Sequence, residues 1–231
     1  MNSTANGSNM IHIALLVVIG TGVFLLWSYP VLIPLKLLVV FFHEASHALA
    51  VVLTGGKVHE LVVVFQQGGH VRHTGGNYFI IASAGYLGSL AWGALIYLIA
   101  MNTHWDRITM GVLALAVGAI TIAFGGNDFV LGYGIVTCVV MLLAAKYLYH
   151  DINDFLLRLI GLTSMLYVPQ DIYSDTIARA NTVQSDARNI ADIYGGTTVF
   201  WGSVWMIISV VVILLCLIWT FSHSRAPRRR T

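Results

Sequence analysis

Long apolar runs, parted by short polar breaks, set the pattern of this chain. A hydrocarbon core of ~30 Å asks for roughly 20 apolar residues per crossing helix. On that ruler the chain offers the segments 11–27, 31–53, 78–101, 108–124, 129–149, 155–168 and 199–221, the sixth being the shortest. Tyr29-Pro30 and Pro34 part the first two runs, because proline ends a helix at the preceding residue. The pattern predicts an all-α polytopic membrane protein with about six to seven transmembrane helices.

Two stretches break the rhythm. Residues 55–77 hold Gly55-Gly56, His59, Glu60, Gly68-Gly69-His70, Arg72, His73 and Gly75-Gly76. Within them Val58 and 61–65 form one β-prone run and 70–73 a second, with Gly68-Gly69 reading as the turn between them. A short β-hairpin is therefore expected after the second helix. Residues 171–198 are polar and helix-prone, and no internal repeat or low-complexity tract is visible.

Composition agrees with the membrane reading. The 231 residues are 58% hydrophobic and 10% charged, against about 25% charged in a soluble domain. So few polar groups leave too little surface to cover a globule in water. Arg225, Arg228, Arg229 and Arg230 follow the last apolar run, which predicts a cytoplasmic tail able to touch anionic lipid. A nucleic-acid role is excluded for so small a cluster. An odd number of spans then puts the N-terminus in the lumen or outside, in agreement with the sequons Asn2-Ser3-Thr4 and Asn6-Gly7-Ser8. The first run has no basic leader or clear cleavage site and reads as a retained span. The expected organisation is a polar leader at 1–10, one membrane-embedded domain at 11–221 and a basic tail at 222–231. Cys138 and Cys216 both lie in apolar runs and offer no disulfide framework or cysteine zinc site.

The chemistry is concentrated in the second run, as His43-Glu44-Ala45-Ser46-His47. Histidines at i and i+4 share one helix face, so both imidazoles reach one tetrahedral metal ion, with Glu44 placed to act on water. No other charge lies between Lys36 and Lys57. An ionisable group at mid-membrane costs roughly 2.5–3.5 kcal/mol on insertion scales, so such a group is expected to have a function.

Catalytic zinc usually has three protein ligands. Asp171 is the best placed third ligand, after Pro169 at the end of the sixth run, where a broken helix would line a cavity. Asp175, one turn later, is its rival or its hydrogen-bonding partner. Asp128 is a weaker candidate, and His59, His70 and His73 read as a solvated loop.

The chain resembles the site-2 protease clan of membrane zinc metallopeptidases, in its small, compact branch. The resemblance rests on Phe42-His43-Glu44-Ala45-Ser46-His47-Ala48, Leu53-Thr54-Gly55-Gly56, the Gly68-Gly69 pair and Ala84-Gly85-Tyr86-Leu87-Gly88-Ser89 with Trp92-Gly93. It continues in Asp171-Ile172-Tyr173-Ser174-Asp175 and in Ser185-Asp186-Ala187 ahead of Trp201-Gly202. It implies hydrolysis of a peptide bond of another membrane protein, with zinc on His43, His47 and an aspartate from a later helix, best matched by Asp171. The usual L-D-G context of that aspartate is missing here, which leaves Asp171 and Asp175 open. The segment after the motif, with Gly68 and Gly69, is implied to guide an extended substrate. Glu44 is the expected general base. The rival readings are a metal transporter using the same ligands and a non-proteolytic membrane scaffold. The intact Glu44 speaks against the scaffold, and the nearly apolar fourth and fifth runs speak against a transport path.

Overall fold

The computed structural model describes residues 14, 16–179 and 184–222. The polar leader with its sequons and the arginines at 225–230 lie outside the described residues. An apolar helix α1 covers Leu16–Leu25. A 3-10 turn, Pro30–Leu32, leads into α2 (Ile33–Leu53), and the strands β1 (Lys57–Val64) and β2 (Gly68–Thr74) follow. The remaining helices are α3 (Tyr78–Asn102), α4 (Asp106–Phe124), α5 (Asp128–Tyr147), α6 (His150–Tyr173), α7 (Asp186–Tyr194) and α8 (Thr198–Ser222).

Among the described residues five helices are long and apolar enough to cross a membrane: α2 with its leading turn, α3, α4, α5 and α8. The expected sixth span corresponds to α6, which is longer than the apolar run at 155–168 because polar residues extend it. Those polar groups find partners locally. Arg158 pairs with Asp154 one turn away at 2.9 Å, and the Asn153 amide donates to the carbonyls of Ala144, Leu148 and Tyr149. Pro169, expected to break this helix, lies inside it. The irregularity comes later, as a single π turn at Ser174–Ala178.

Helix α2 is the centre of the assembly. Inside the protein lies 78% of its most apolar window, against 22% for α5 and for α8. A ring of neighbours therefore screens the polar motif on α2 from lipid. Helix α6 lies along α3 at a glycine seam, where a Cβ on Gly93 would stand 2.8 Å from the Gly161 carbonyl and one on Gly161 2.7 Å from that of Gly93. Small residues at such seams let helix backbones approach in lipid, where apolar burial gives no drive for association. Exposed aromatics mark both ends of α3. Phe79 meets Tyr194 and Trp201 at its start, while Trp105, Tyr147 and Tyr149 are exposed near its far end. Aromatic belts of this kind sit at membrane–water interfaces.

The hairpin forms as expected, but its turn is displaced. Residues 65–67 make the turn, with Gln67 in the left-handed region at φ 64°, and Gly68-Gly69 belong to β2. The pairing sets Val63 opposite Gly69 and Val64 opposite Gly68. Glycine is needed here for space. A Cβ on Gly69 would lie 2.6 Å from the Val62 carbonyl and 2.7 Å from Oε1 of Glu44. The outer edge of β1 is held by the α4–α5 loop, through Gly126 N–H to the Leu61 carbonyl at 2.8 Å and the Asn127 amide to the Val63 carbonyl at 3.0 Å. Leu61 and Val63 point into the core. The outer edge of β2 pairs with no strand among the described residues.

Candidate active site

Helical spacing puts His43, Glu44 and His47 on one face of α2, where they line a cleft of about 470 Å³ between β2, the end of α6 and α7. The two imidazoles meet edge to face, with ring centroids 4.8 Å apart. Gly85 of α3 makes their seat, since a Cβ there would overlap Nε2 of both rings. Gly88 does the same for Ser46, whose hydroxyl bonds back to the Phe42 carbonyl at 2.6 Å.

Both Nε2 atoms converge on one oxygen, Oδ2 of Asp186, at 3.1 Å from His43 and 3.2 Å from His47. Among the described residues His43, His47 and Asp186 are the one group whose ligand atoms can share a metal ion, all within 4.8 Å of one another. Asp186 opens α7, where the Ser185 hydroxyl caps the helix by accepting from Arg188 N–H. Ala187 and Ile190, both fully buried, dock that helix onto the bundle. Burial pushes the Asp186 carboxyl up, but the His47 and His43 imidazoles outweigh it and hold the group below the usual carboxylate range.

The carboxylate that meets both Nε2 atoms thus comes from α7, whereas the sequence pointed to α6. Oδ2 of Asp171 stands 3.9 Å from Nδ1 of His43, the nitrogen on the far side of the ring. Asp175 is engaged elsewhere: it accepts from the Tyr86 hydroxyl at 2.7 Å and pairs with Arg179 at 3.0 Å. Because α6 runs on through Pro169, Asp171 stays on its last turn at the Nδ1 side of His43, and Asp175 follows in the π turn. Asp128 lies exposed in the first turn of α5, away from this group. His59 contacts Thr74, His73 contacts the Gly75 carbonyl and His70 lies 4.0 Å from Glu60. His70 and His73 border the cleft without joining the group. Gly68 and Gly69 border it too, with Gly69 against Glu44. The sequence carried a trace of Asp186: a serine cap followed by apolar positions at Ala187 and Ile190, the start of a short amphipathic helix.

The donor set fits a divalent cation. His47 Nδ1–H donates to the Ile81 carbonyl at 2.7 Å, while its Nε2 faces the Asp186 carboxylate. A neutral imidazole carries one N–H, so two acceptors around one ring call for a second proton or for a cation between Nε2 and the carboxylate. Two imidazoles and a carboxylate are also a familiar catalytic zinc set. Beside them Glu44 is buried, and its Oε2 has no hydrogen-bond partner among the described residues. A buried carboxylate oxygen is stable only when something answers it, and a water activated at the site would do so.

Comparison with known proteins gives one finding. A family model described as Peptidase M50B-like matches residues 14–216. No curated protein and no solved structure matches the chain.

Proposed function

Because the chain belongs to the Peptidase M50B-like family, we propose that it is an intramembrane zinc metalloprotease that cuts a membrane-protein substrate within or near the bilayer. The observation that carries this reading is the convergence of His43 Nε2 and His47 Nε2 on Asp186 Oδ2, beside the Oε2 of Glu44, which has no partner among the described residues.

In this reading His43, His47 and Asp186 hold zinc, which supplies Lewis-acid chemistry when bound, polarising a carbonyl and making water more acidic. The Ile81 carbonyl keeps the His47 ring oriented through Nδ1, and Asp171 faces Nδ1 of His43 in the same sense. Glu44 removes a proton from the attacking water at its carboxylate and passes it to the departing amine nitrogen. Gly69 leaves Glu44 the room to do so. The substrate must be unwound, since a helix hides its carbonyls in backbone hydrogen bonds. The open edge of β2 supports binding of such an extended segment by strand addition.

The test is Glu44→Gln in the purified protein reconstituted with a membrane-protein substrate. The variant should fold and retain zinc, lose cleavage and hold the uncut substrate in a crosslinkable complex. Undiminished cleavage would overturn the mechanism.

A further inference from the structure

Helix α7 carries Asp186 at its first position and Tyr194 at its last. At about 13 Å it is too short to be stable by its own hydrogen bonds. Its place is therefore set by what it packs against. Ala187 and Ile190 are buried on the bundle, but Ile193 and Tyr194 at the far end are exposed.

The surroundings of that end say what covers it. Tyr194 meets Phe79 edge to face at 5.5 Å, Phe79 meets Trp201 at 5.6 Å, and Trp201 meets Phe200 at 5.3 Å. Val199 and Phe200 are exposed as well. Gly195 and Gly196, at φ 82° and 89°, turn the chain from α7 into α8, and the Trp201 indole N–H donates to the Gly195 carbonyl at 2.9 Å. The corner thus gathers apolar surface from the start of α3, the end of α7 and the start of α8. Helices α3 and α8 are long and apolar enough to cross the membrane, so their first turns lie at the end of a span. The patch is continuous with the lipid-facing side of α8, of whose most apolar window only 22% is buried. Asp192 and Thr197, both exposed, give the corner a polar flank. Aromatic rings at the end of a span, with polar groups beside them, fit the boundary between acyl chains and headgroups.

The other end of α7 stands at the metal donors. Gly85, the seat of the two imidazoles, lies about 9 Å further along α3 than Phe79. Asp186 lies about 12 Å along α7 from Tyr194. One short helix therefore runs between the lipid boundary and the Nε2 atoms. Resting for its consequence on the reading of Asp186 as a zinc donor, we infer that Ile193, Tyr194, Val199 and Phe200, with Phe79, form a lipid-anchoring surface. Its partner is the bilayer interface, and seating in that interface holds Asp186 against His43 and His47. Zinc affinity then depends on the bilayer as well as on packing within the protein. Linkage makes the dependence reciprocal, so that a loaded site deepens the seating of the corner.

The experiment uses the full chain in phosphatidylcholine vesicles, with Cys138→Ser and Cys216→Ser and a nitroxide on one new cysteine at a time. Labels at Ile193→Cys and Val199→Cys should be reached by oxygen, which concentrates among acyl chains, more than by a water-soluble nickel complex. An Asp192→Cys label should show the reverse. Nickel reaching all three alike overturns the inference, because the corner would stand in water. Labels shielded from both reagents overturn it too, because protein, such as a second copy of the chain, would cover the patch. Ile193→Ser with Phe200→Ser should lower zinc affinity in vesicles about tenfold, within the range for coupled sites, and Ile193→Leu with Phe200→Leu should restore it. Zinc added to the stripped protein should reduce nickel access to the Ile193→Cys label, and Asp186→Asn should abolish that response. Equal zinc affinity in the serine pair, or a label indifferent to zinc, overturns the link between the corner and the site. If the serine pair fails to fold, the response of the label decides alone. An Asp186→Asn protein that binds zinc like its parent defeats the donor reading, while the depths of the labels still decide the anchor.

Discussion

His43 Nε2 and Asp186 Oδ2 stand 3.1 Å apart although 143 positions separate them in the chain. The contact joins the buried central helix α2 to the short helix α7, and with His47 it completes a three-donor group. Nothing local to either helix requires it. The α3 neighbours make it possible: Gly85 leaves room for the two rings, and the Ile81 carbonyl orients one of them.

Asp186→Asn and Asp171→Asn should separate the two carboxylates. Asp186 faces the Nε2 atoms, so its amide variant should lose most of its zinc. Asp171 faces only Nδ1 of His43, so Asp171→Asn should keep one zinc per chain, with affinity weaker by about 10–100-fold. Metal content by mass spectrometry and competition with a chelator read both effects. The opposite order would move the third ligand back to α6.

Gly69→Ala addresses Glu44, the base in the mechanism proposed above, without touching the donors. The new methyl group would press on the Glu44 carboxylate and on the Val62 carbonyl. Zinc binding should persist, while cleavage should fall by roughly 10²-fold or more, within the range expected for a misplaced acid–base group. Cleavage at the parent rate would show that the hairpin yields and that the close approach is incidental.

Gly85→Ala should do the reverse and strike metal binding first. Its methyl group would occupy the space of both Nε2 atoms. Gly132→Ala on α5 is the control, because a Cβ there meets nothing within 4 Å. A chelator titration should show lost affinity for the first variant and none for the second.

Gly93→Ala tests the seam between α3 and α6. The added carbon would crowd the Gly161 carbonyl and the Met165 amide, both backbone atoms that cannot swing aside. Overpacking of this kind costs about 1–3 kcal/mol. Thermal unfolding in detergent should drop accordingly. Zinc retention should weaken with it, since α6 carries Asp171 behind His43. An unchanged midpoint would mean that the helices part without cost.

Much of the architecture was legible in the residues. Runs of apolar side chains long enough to span the bilayer announce themselves one by one, because each helix satisfies its own backbone and needs no partner to be recognised. The same holds for the spacing of His43 and His47, which one turn of helix places together. The hairpin was readable from its β-prone runs, but Gly68-Gly69 looked like a turn. Glycine serves close approach as readily as it serves a turn, and only the position of Glu44 tells the two apart. Pro169 misled in a similar way. It suggested a break that would free Asp171, yet α6 continues to Tyr173 and leaves that aspartate behind His43.

What the sequence determined by itself was therefore local: the membrane setting, the two imidazoles and the carboxylate of Glu44 between them. Which aspartate meets those imidazoles was decided by tertiary structure alone. Asp171, Asp175 and Asp186 are chemically alike, and their distances from Nε2 depend on how α3, α6 and α7 pack around α2. The buried faces of Ala187 and Ile190 seat α7 so that Asp186 points at the histidines. The packing of α7 thus decides which aspartate stands beside the two Nε2 atoms.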